Sequence, residues 1–438
     1  MKPKGLLIAL VLLAVFGGLS IWVYKHPASG DSKSADGSNT KLLTIPDDQF
    51  QEIRIAKLTG EAIDLKKENG RWLMTAPKPL PADQDAVSSM QSTLANLTAD
   101  KLIDAKAADL KAFGLAQPTL DVSVVRKDGK TDRILIGDDT PTGSGAYAKL
   151  PNDPRVFTVA SLTKTTLDKR PDDLRDKRLL TFDSDKLSRV ELTAKGQSIE
   201  FGKNGQGEWT IVKPRPLRAD GAAVDGLVSK LKDAKMDLGT PGEDAAKKFA
   251  GAARVALVTV TDASGTQTLE VRRDQEKNVY AKSSAVGGFY KANVDLADGV
   301  DKGLDDFRNK KLFDFGFSDP NKVDVKGVSY TKDGDKWKSG GKVMDNTSVQ
   351  NLIDKLRDLA ATKFAEQGGG QPVFEATVTS NGGKRVEHVT ISKQGDQYFA
   401  QRENEPSIYV LDGKAVEDLQ KAAADVKEAP PEPPAKKK

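Results

Sequence analysis

WLMTAPKPLPADQDAV at residues 72–87 and WTIVKPRPLRADGAAV at residues 209–224 are two copies of one segment. Trp, two prolines, Leu, Ala-Asp and a closing Val keep one register at a constant offset of 137, so Pro77, Pro79, Asp83 and Val87 correspond to Pro214, Pro216, Asp220 and Val224. A degenerate third copy starts at Trp337. It lacks the prolines and is three residues shorter before its acidic residue, yet Asp345 still stands four residues before Val349. After each Asp the apolar residues fall at Val87, Met90, Leu94 and Leu97, at Val224, Leu227, Leu231 and Ala234, and at Val349, Leu352, Leu356 and Leu359. That i, i+3, i+7, i+10 spacing is one stripe of an amphipathic helix, with the Asp as its N-cap.

Working outward, period-two alternation precedes each Trp: Ile53, Ile55, Ile63 and Leu65; Val190, Leu192, Ile199 and Phe201; Val323, Val325, Val328 and Tyr330. Asn-Gly or Asp-Gly turns separate these runs from the Trp, so each copy opens as a three-stranded meander. After the helix, VSVVRKDGKTDRILIG, VALVTVTDASGTQTLEV and FEATVTSNGGKRVEHVTI each give two strands around a Gly turn, and two further short strands follow. The expected unit is β-β-β-α-β-β-β-β-α. Its ending repeats as well: DDLRDKRLLTF from Asp172 matches DDFRNKKLFDF from Asp305, and only the third copy lacks it. This places Arg175 and Arg308 at the joins between units. An Arg there either bridges carboxylates across the join or stands as an exposed charge near a helix end, and both readings fit.

The chain has 438 residues, too many for one ordinary domain. With no cysteine and two histidines, His26 and His388, it has no disulfide, thiolate metal site, cysteine nucleophile or multi-histidine centre. A net charge of +4 with 30% charged residues describes an ordinary solvated surface and gives no sign of a nucleic-acid partner. Residues 5–24, GLLIALVLLAVFGGLSIWVY, carry no charge and are long enough to span a bilayer once. Lys2 and Lys4 before them and Trp22 and Tyr24 at the far end give an N-in orientation. A cleaved signal peptide is the other reading; the length of the run and the poor cleavage site at Lys25, His26 and Pro27 favour a retained anchor. Residues 28–40 form a polar tether, and KEAPPEPPAKKK at the end is an extended, solvated tail.

Candidate chemistry reduces to structure almost everywhere. Trp72, Trp209 and Trp337 could stack on sugars or peptides, but a large aromatic on a half-buried strand usually packs between sheet and helix. Asp83, Asp220 and Asp345 each start a helix, which capping explains in full. Asp138 and Asp139 lack the further carboxylates of a calcium loop and read as a polar turn. Gly368, Gly369 and Gly370 read as a flexible link with no phosphate-binding context, His388 stands alone on a strand, and no serine sits in a hydrolase motif. No catalytic, metal or cofactor residue emerges.

The membrane span, the Trp with its prolines and Ala-Asp before a helix, FGLAQP at residues 113–118, the IGDD segment and the LRDKRLL ending together resemble a bacterial domain-of-unknown-function family, number 4340. The resemblance covers residues 46 to about 317, and the second copy lacks the FGLAQP segment. It implies one N-terminal membrane helix, an extracytoplasmic repeat region and an auxiliary place in ABC-type export or gliding-motility-like systems, with no catalytic residues. The expected organisation is α+β: a transmembrane anchor (1–25), a linker (26–45), repeats at 46–184 and 185–317, a degenerate third at 318–425 and a tail (426–438). The expected function is a non-enzymatic scaffold or binding protein in the inner membrane, single-pass and mostly periplasmic, with an envelope or transporter partner. An envelope enzyme acting on polysaccharide or peptide is the alternative.

Overall fold

The computed structural model describes residues 40–316 and 320–431. The expected span at residues 5–24, nearly all of the tether and most of the tail lie outside them; among the described residues no helix is long and apolar enough to cross a membrane.

The described chain is mostly sheet, in three antiparallel sheets of nine strands that share one strand order. In the first repeat β1 (Phe50–Lys57), β2 (Ile63–Glu68), β3 (Arg71–Ala76), β4 (Leu80–Pro81), β5 (Lys101–Asp104), β6 (Leu120–Arg126), β7 (Thr131–Asp139), β8 (Gly145–Lys149) and β9 (Val156–Ala160) are arranged β4-β3-β2-β1-β6-β7-β8-β9-β5. The alternation sets the register: Ile53 faces Leu65 and Ile55 faces Ile63, Val190 faces Phe201 and Leu192 faces Ile199, Val323 faces Tyr330 and Val325 faces Val328. All of these are buried except Val328, which flanks a tight turn and is 45% exposed.

The expected unit is two strands short. The two-residue β4 is too brief to show a period, and β5, KLID, follows the helix with little β-branched character. These two are the outermost strands of the sheet, and the long helix Gln84–Ala95 connects them, so it must cross a whole face of the sheet. Its stripe of Val87, Met90 and Leu94 is fully buried there. Helices Gly221–Lys232 and Asn346–Asp358 repeat the arrangement with Val224, Leu227 and Leu231, and with Val349, Leu352 and Leu356.

Each Asp caps its helix. Asp83 Oδ1 accepts from the amides of Asp85 and Ala86 at 3.0 and 3.1 Å, Asp220 Oδ1 from Ala223 at 3.1 Å and Asp345 Oδ1 from Ser348 at 3.0 Å. Replacing any one by Ala is expected to cost about 1 kcal/mol, and by Asn close to nothing, in denaturant unfolding. In the third copy the missing three residues leave a two-glycine turn, Gly340 (φ 55°) and Gly341 (φ 82°), where the first two copies run through prolines. Positive φ at both central residues is the geometry of a two-residue hairpin, which explains how the shorter copy keeps the same strand order.

The repeat boundaries differ from the expected ones at both ends. Leu42, Leu43 and Ile45, assigned to the linker, are buried in the first core. Leu179, Leu180 and Phe182 belong to the second core, and Leu312, Phe313 and Phe315 to the third. LLTI, LLTF and LFDF are therefore three copies of an entering arm, and what reads as the end of one unit is partly the start of the next. Each arm pairs just beyond the long helix: Lys41 with Thr98, Arg178 with Lys235 and Lys311 with Ala360. The true ending is a clasp beside the short edge strand, in which Ala82 bridges Arg175, Ala219 bridges Arg308 and Met344 bridges Glu428. The third copy thus has its clasp, within residues assigned to the tail and with a different sequence. Contacts divide the chain into two compact units, one through Asp176 and one from Lys177, so the second and third repeats share a unit.

Candidate functional site: the join of the second and third repeats

The richest polar cluster lies inside that second unit. Arg218, at the end of the short strand Leu217–Arg218, reaches into the third repeat. Its Nε donates to Asp314 Oδ2 at 3.0 Å, with Nη2 on the same oxygen, while Nη1 donates to the Lys311 carbonyl at 2.8 Å and to Tyr409 Oη at 3.2 Å. Tyr409 Oη donates to Glu405 Oε1 at 2.6 Å. Arg402 pairs with Glu387 at 3.1 Å and with Glu405 at 3.0 Å and donates to the Leu312 carbonyl. Glu387 accepts from the Asp314 amide at 2.9 Å, and Arg385 ties the Asp314 carbonyl, at 2.8 Å, to Glu208 of the second repeat, at 2.6 Å.

Burial opposes the charge on Arg218, but Asp314, Tyr409 and Glu405 outweigh it and hold the guanidinium above its ordinary value. Burial pushes the Tyr409 hydroxyl well above the usual tyrosine range, helped by Glu405 and opposed by Arg218 and Arg402. A value raised on folding favours the protonated form, so this stabilisation is complete below about pH 10 and is lost as pH rises through the folded-state value. Denaturant midpoints are therefore expected to fall above about pH 10, with a shallower fall in Tyr409→Phe.

Arg308 lies at this join too. It is 7% exposed, donates to Ser407 at 3.0 Å and to Asp305 at 3.1 Å, and stacks 3.4 Å from the Phe364 ring centre. In the first repeat Arg175 is half-buried, with its backbone in the clasp. Trp72, Trp209 and Trp337 are buried in their respective cores, at 2%, 9% and 3% exposure, and Trp209 is the least enclosed.

That difference has a local cause. Gln84, the first residue of its helix, clips the Trp72 backbone by accepting from its amide and donating to its carbonyl, both at 2.9 Å, and Asn346 accepts from the Trp337 amide at 3.3 Å. The second repeat has Gly221 there. Trp209 instead donates its indole N–H to Asp225 at 2.7 Å, and a cleft of about 580 Å³ opens, walled by Lys203, Trp209, Asp225, Asn309, Asp314 and Arg385. On the other side of Arg218 a second cleft of about 570 Å³ runs between Pro216 and the loop of residues 402–406. The guanidinium is the partition between them.

The other sequence candidates fall elsewhere. Asp138 and Asp139 end strand β7 and do not form a turn; Asp139 pairs with Lys164 at 2.8 Å. FGLAQP and IGDD pack on each other: a Cβ on Gly137 would lie 2.2 Å from the Phe113 carbonyl, and one on Gly114 (φ +66°) 2.7 Å from the Asp138 amide. Where the second repeat lacks FGLAQP it has a helix, Gly242–Gly251, whose Phe249 packs on Phe289 at 4.9 Å. Glu243 and Asp244 in its first turn and the following Ala-Lys run were legible helix signals. Gly370 (φ +109°) is held tightly, its Cβ position 2.1 Å from the Lys393 carbonyl, so this segment is no loose link. His388 lies between Thr377, 2.9 Å from Nδ1, and Thr390, 3.5 Å from Nε2. Among the described residues no three His, Asp or Glu side chains are grouped to hold a metal ion.

Reading the sequence by repeats missed Arg218, Asp314, Glu387, Arg402 and Glu405 because they are where the copies differ, whereas Tyr409 stands where the other copies have Phe157 and Tyr290 and reads as a repeated aromatic. Arg218 stands where the other copies have Pro81 and Val343. A single arginine among apolar equivalents was the available signal.

Residues 72–210 and 209–375 match the family described as Domain of unknown function (DUF4340). Each match runs from the Trp of one copy into the strands of the next, and the second extends past residue 317 into the third repeat. No curated protein and no solved structure matches the chain.

Proposed function

The chain belongs to the DUF4340 family, and from that premise we propose that it is a non-enzymatic, membrane-anchored scaffold of the bacterial envelope. Residues 5–24 anchor it in the inner membrane with the N-terminus inside, and the repeats stand in the periplasm. Its partner is an envelope protein, in this reading a component of an ABC-type export or motility-like complex. One observation carries the proposal: the charged groups between the second and third repeats are engaged with one another, so the join fixes the placing of two sheets. Such a pair offers a partner a wide surface of set shape. An enzyme acting on polysaccharide or peptide would instead need a carboxylate or nucleophile free to face substrate.

Crosslinking in intact membranes followed by purification of the full chain tests this directly. Recovery of a transport or envelope subunit is the expected result, and its repeated absence would overturn the assignment. A reporter fused after Lys438 is expected to be active only outside the cytoplasm; cytoplasmic activity would reverse the topology.

A further inference from the structure

The join between the second and third repeats shows how the trailing face of one unit receives the leading face of another. Faces of the same two kinds are the trailing face of the third repeat and the leading face of the first. Strand register sets the equivalences. Val343 pairs with Lys338 as Arg218 pairs with Thr210, so Lys342 and Val343 stand for Leu217 and Arg218, and the clasp puts Glu428 for Arg308. On the leading face Ala148 faces Ile136 as Ala400 faces Ile391. Leu150, Asp153 and Arg155 therefore stand for Arg402, Glu405 and Ser407, and Asn152-Asp153-Pro154 repeats Asn404-Glu405-Pro406. Each of these faces is a cleft, about 540 Å³ beside Lys342, Val343 and Glu428 and about 730 Å³ beside Leu43, Asp132 and Leu150.

We propose that these two faces bind each other in neighbouring copies of this chain, head to tail. With the first repeat placed on the third as the third sits on the second, Val343, 37% exposed, meets Leu150, apolar on apolar where the internal join has Arg218 and Arg402. Glu428 meets Arg155 where Arg308 meets Ser407. Lys342 comes beside Asp153, as Leu217 and Glu405 share a cleft wall. Within one chain Lys342 pairs with Glu428, and Arg155 with Asp153 at 2.6 Å. Docking exchanges these partners, so no charge is buried alone. The internal contacts of Arg218 with Asp314 and Tyr409 are not reproduced, since Val343, Thr44 and Phe157 stand in their places, and Glu208 and Arg385 are replaced by Lys336 and Lys130, which makes the contact between copies weaker than the internal one. The contact is heterologous, so copies add in a line or close a ring. It needs neither the membrane anchor nor the envelope partner proposed above.

Sedimentation of the full chain in detergent micelles, over a range of concentrations, reads the association. The expected mass rises past a dimer with concentration. Glu428→Arg or Arg155→Glu alone weakens association about tenfold, and an equal mixture of the two variants restores it, since the two reversed side chains again bring opposite charges together. The chain has no cysteine, so a Leu150→Cys, Val343→Cys double variant provides an independent readout. Oxidation is expected to give a ladder of multimers from the double variant and none from either single one. A chain that stays monomeric, a dimer indifferent to both charge reversals, or a mixture that fails to restore association would overturn the proposal.

Discussion

Replacing Arg218 by Ala is expected to cost about 3–5 kcal/mol in denaturant unfolding of the full chain, the usual penalty when one partner of a buried charge network is removed. Asp314, Glu405 and Tyr409 would each lose their shared partner while their side chains stay largely enclosed. The unfolding transition of the second and third repeats is expected to separate into two, because the cluster spans both. Arg218→Lys should recover only part of the loss. An ammonium cannot reach Asp314, the Lys311 carbonyl and Tyr409 together as the planar guanidinium does. Replacing Arg218, Asp314 and Glu405 together by apolar residues of similar volume is a different experiment and is expected to cost much less, since the desolvation of three charges is avoided.

The second large effect belongs to the repeated tryptophans. Trp72→Ala or Trp337→Ala is expected to cost about 3–5 kcal/mol through lost burial and the cavity left behind, again read by denaturant unfolding. Trp209→Ala should fall at the lower end of that range, because its ring borders the cleft and its indole N–H is held by a helix carboxylate. A binding role would give the reverse pattern, with stability nearly unchanged and a partner lost. Burial of all three rings in their respective cores supports the packing role.

What the sequence made legible follows from which signals repeat. The Asp caps, the helix stripe and the facing positions of the first hairpin occur three times in register, and three copies turn weak propensities into a firm pattern. The outer strands of the first sheet, two and four residues long, carried no period to find, so they went unseen and with them the nine-strand order. The boundary shift has a similar origin. DDLRDKRLLTF joins a clasp to an arm with no break in composition, and only LLTI at residues 42–45, a copy with no Asp-Asp-x-Arg run before it, distinguishes the two parts. The cleft could not be read by repetition at all. It exists because Gly221 replaces an amide present in the other copies and because Arg218 replaces Pro81 and Val343, and both are departures from the template.

The charges of this cleft fasten two sheets together. A double-mutant cycle on Arg218→Met and Asp314→Leu in the full chain measures that most directly. A coupling energy of about 1.5–3 kcal/mol, with the two repeats unfolding together only when the pair is intact, is the predicted result. A coupling near zero, with both single variants as stable as the parent, would contradict it.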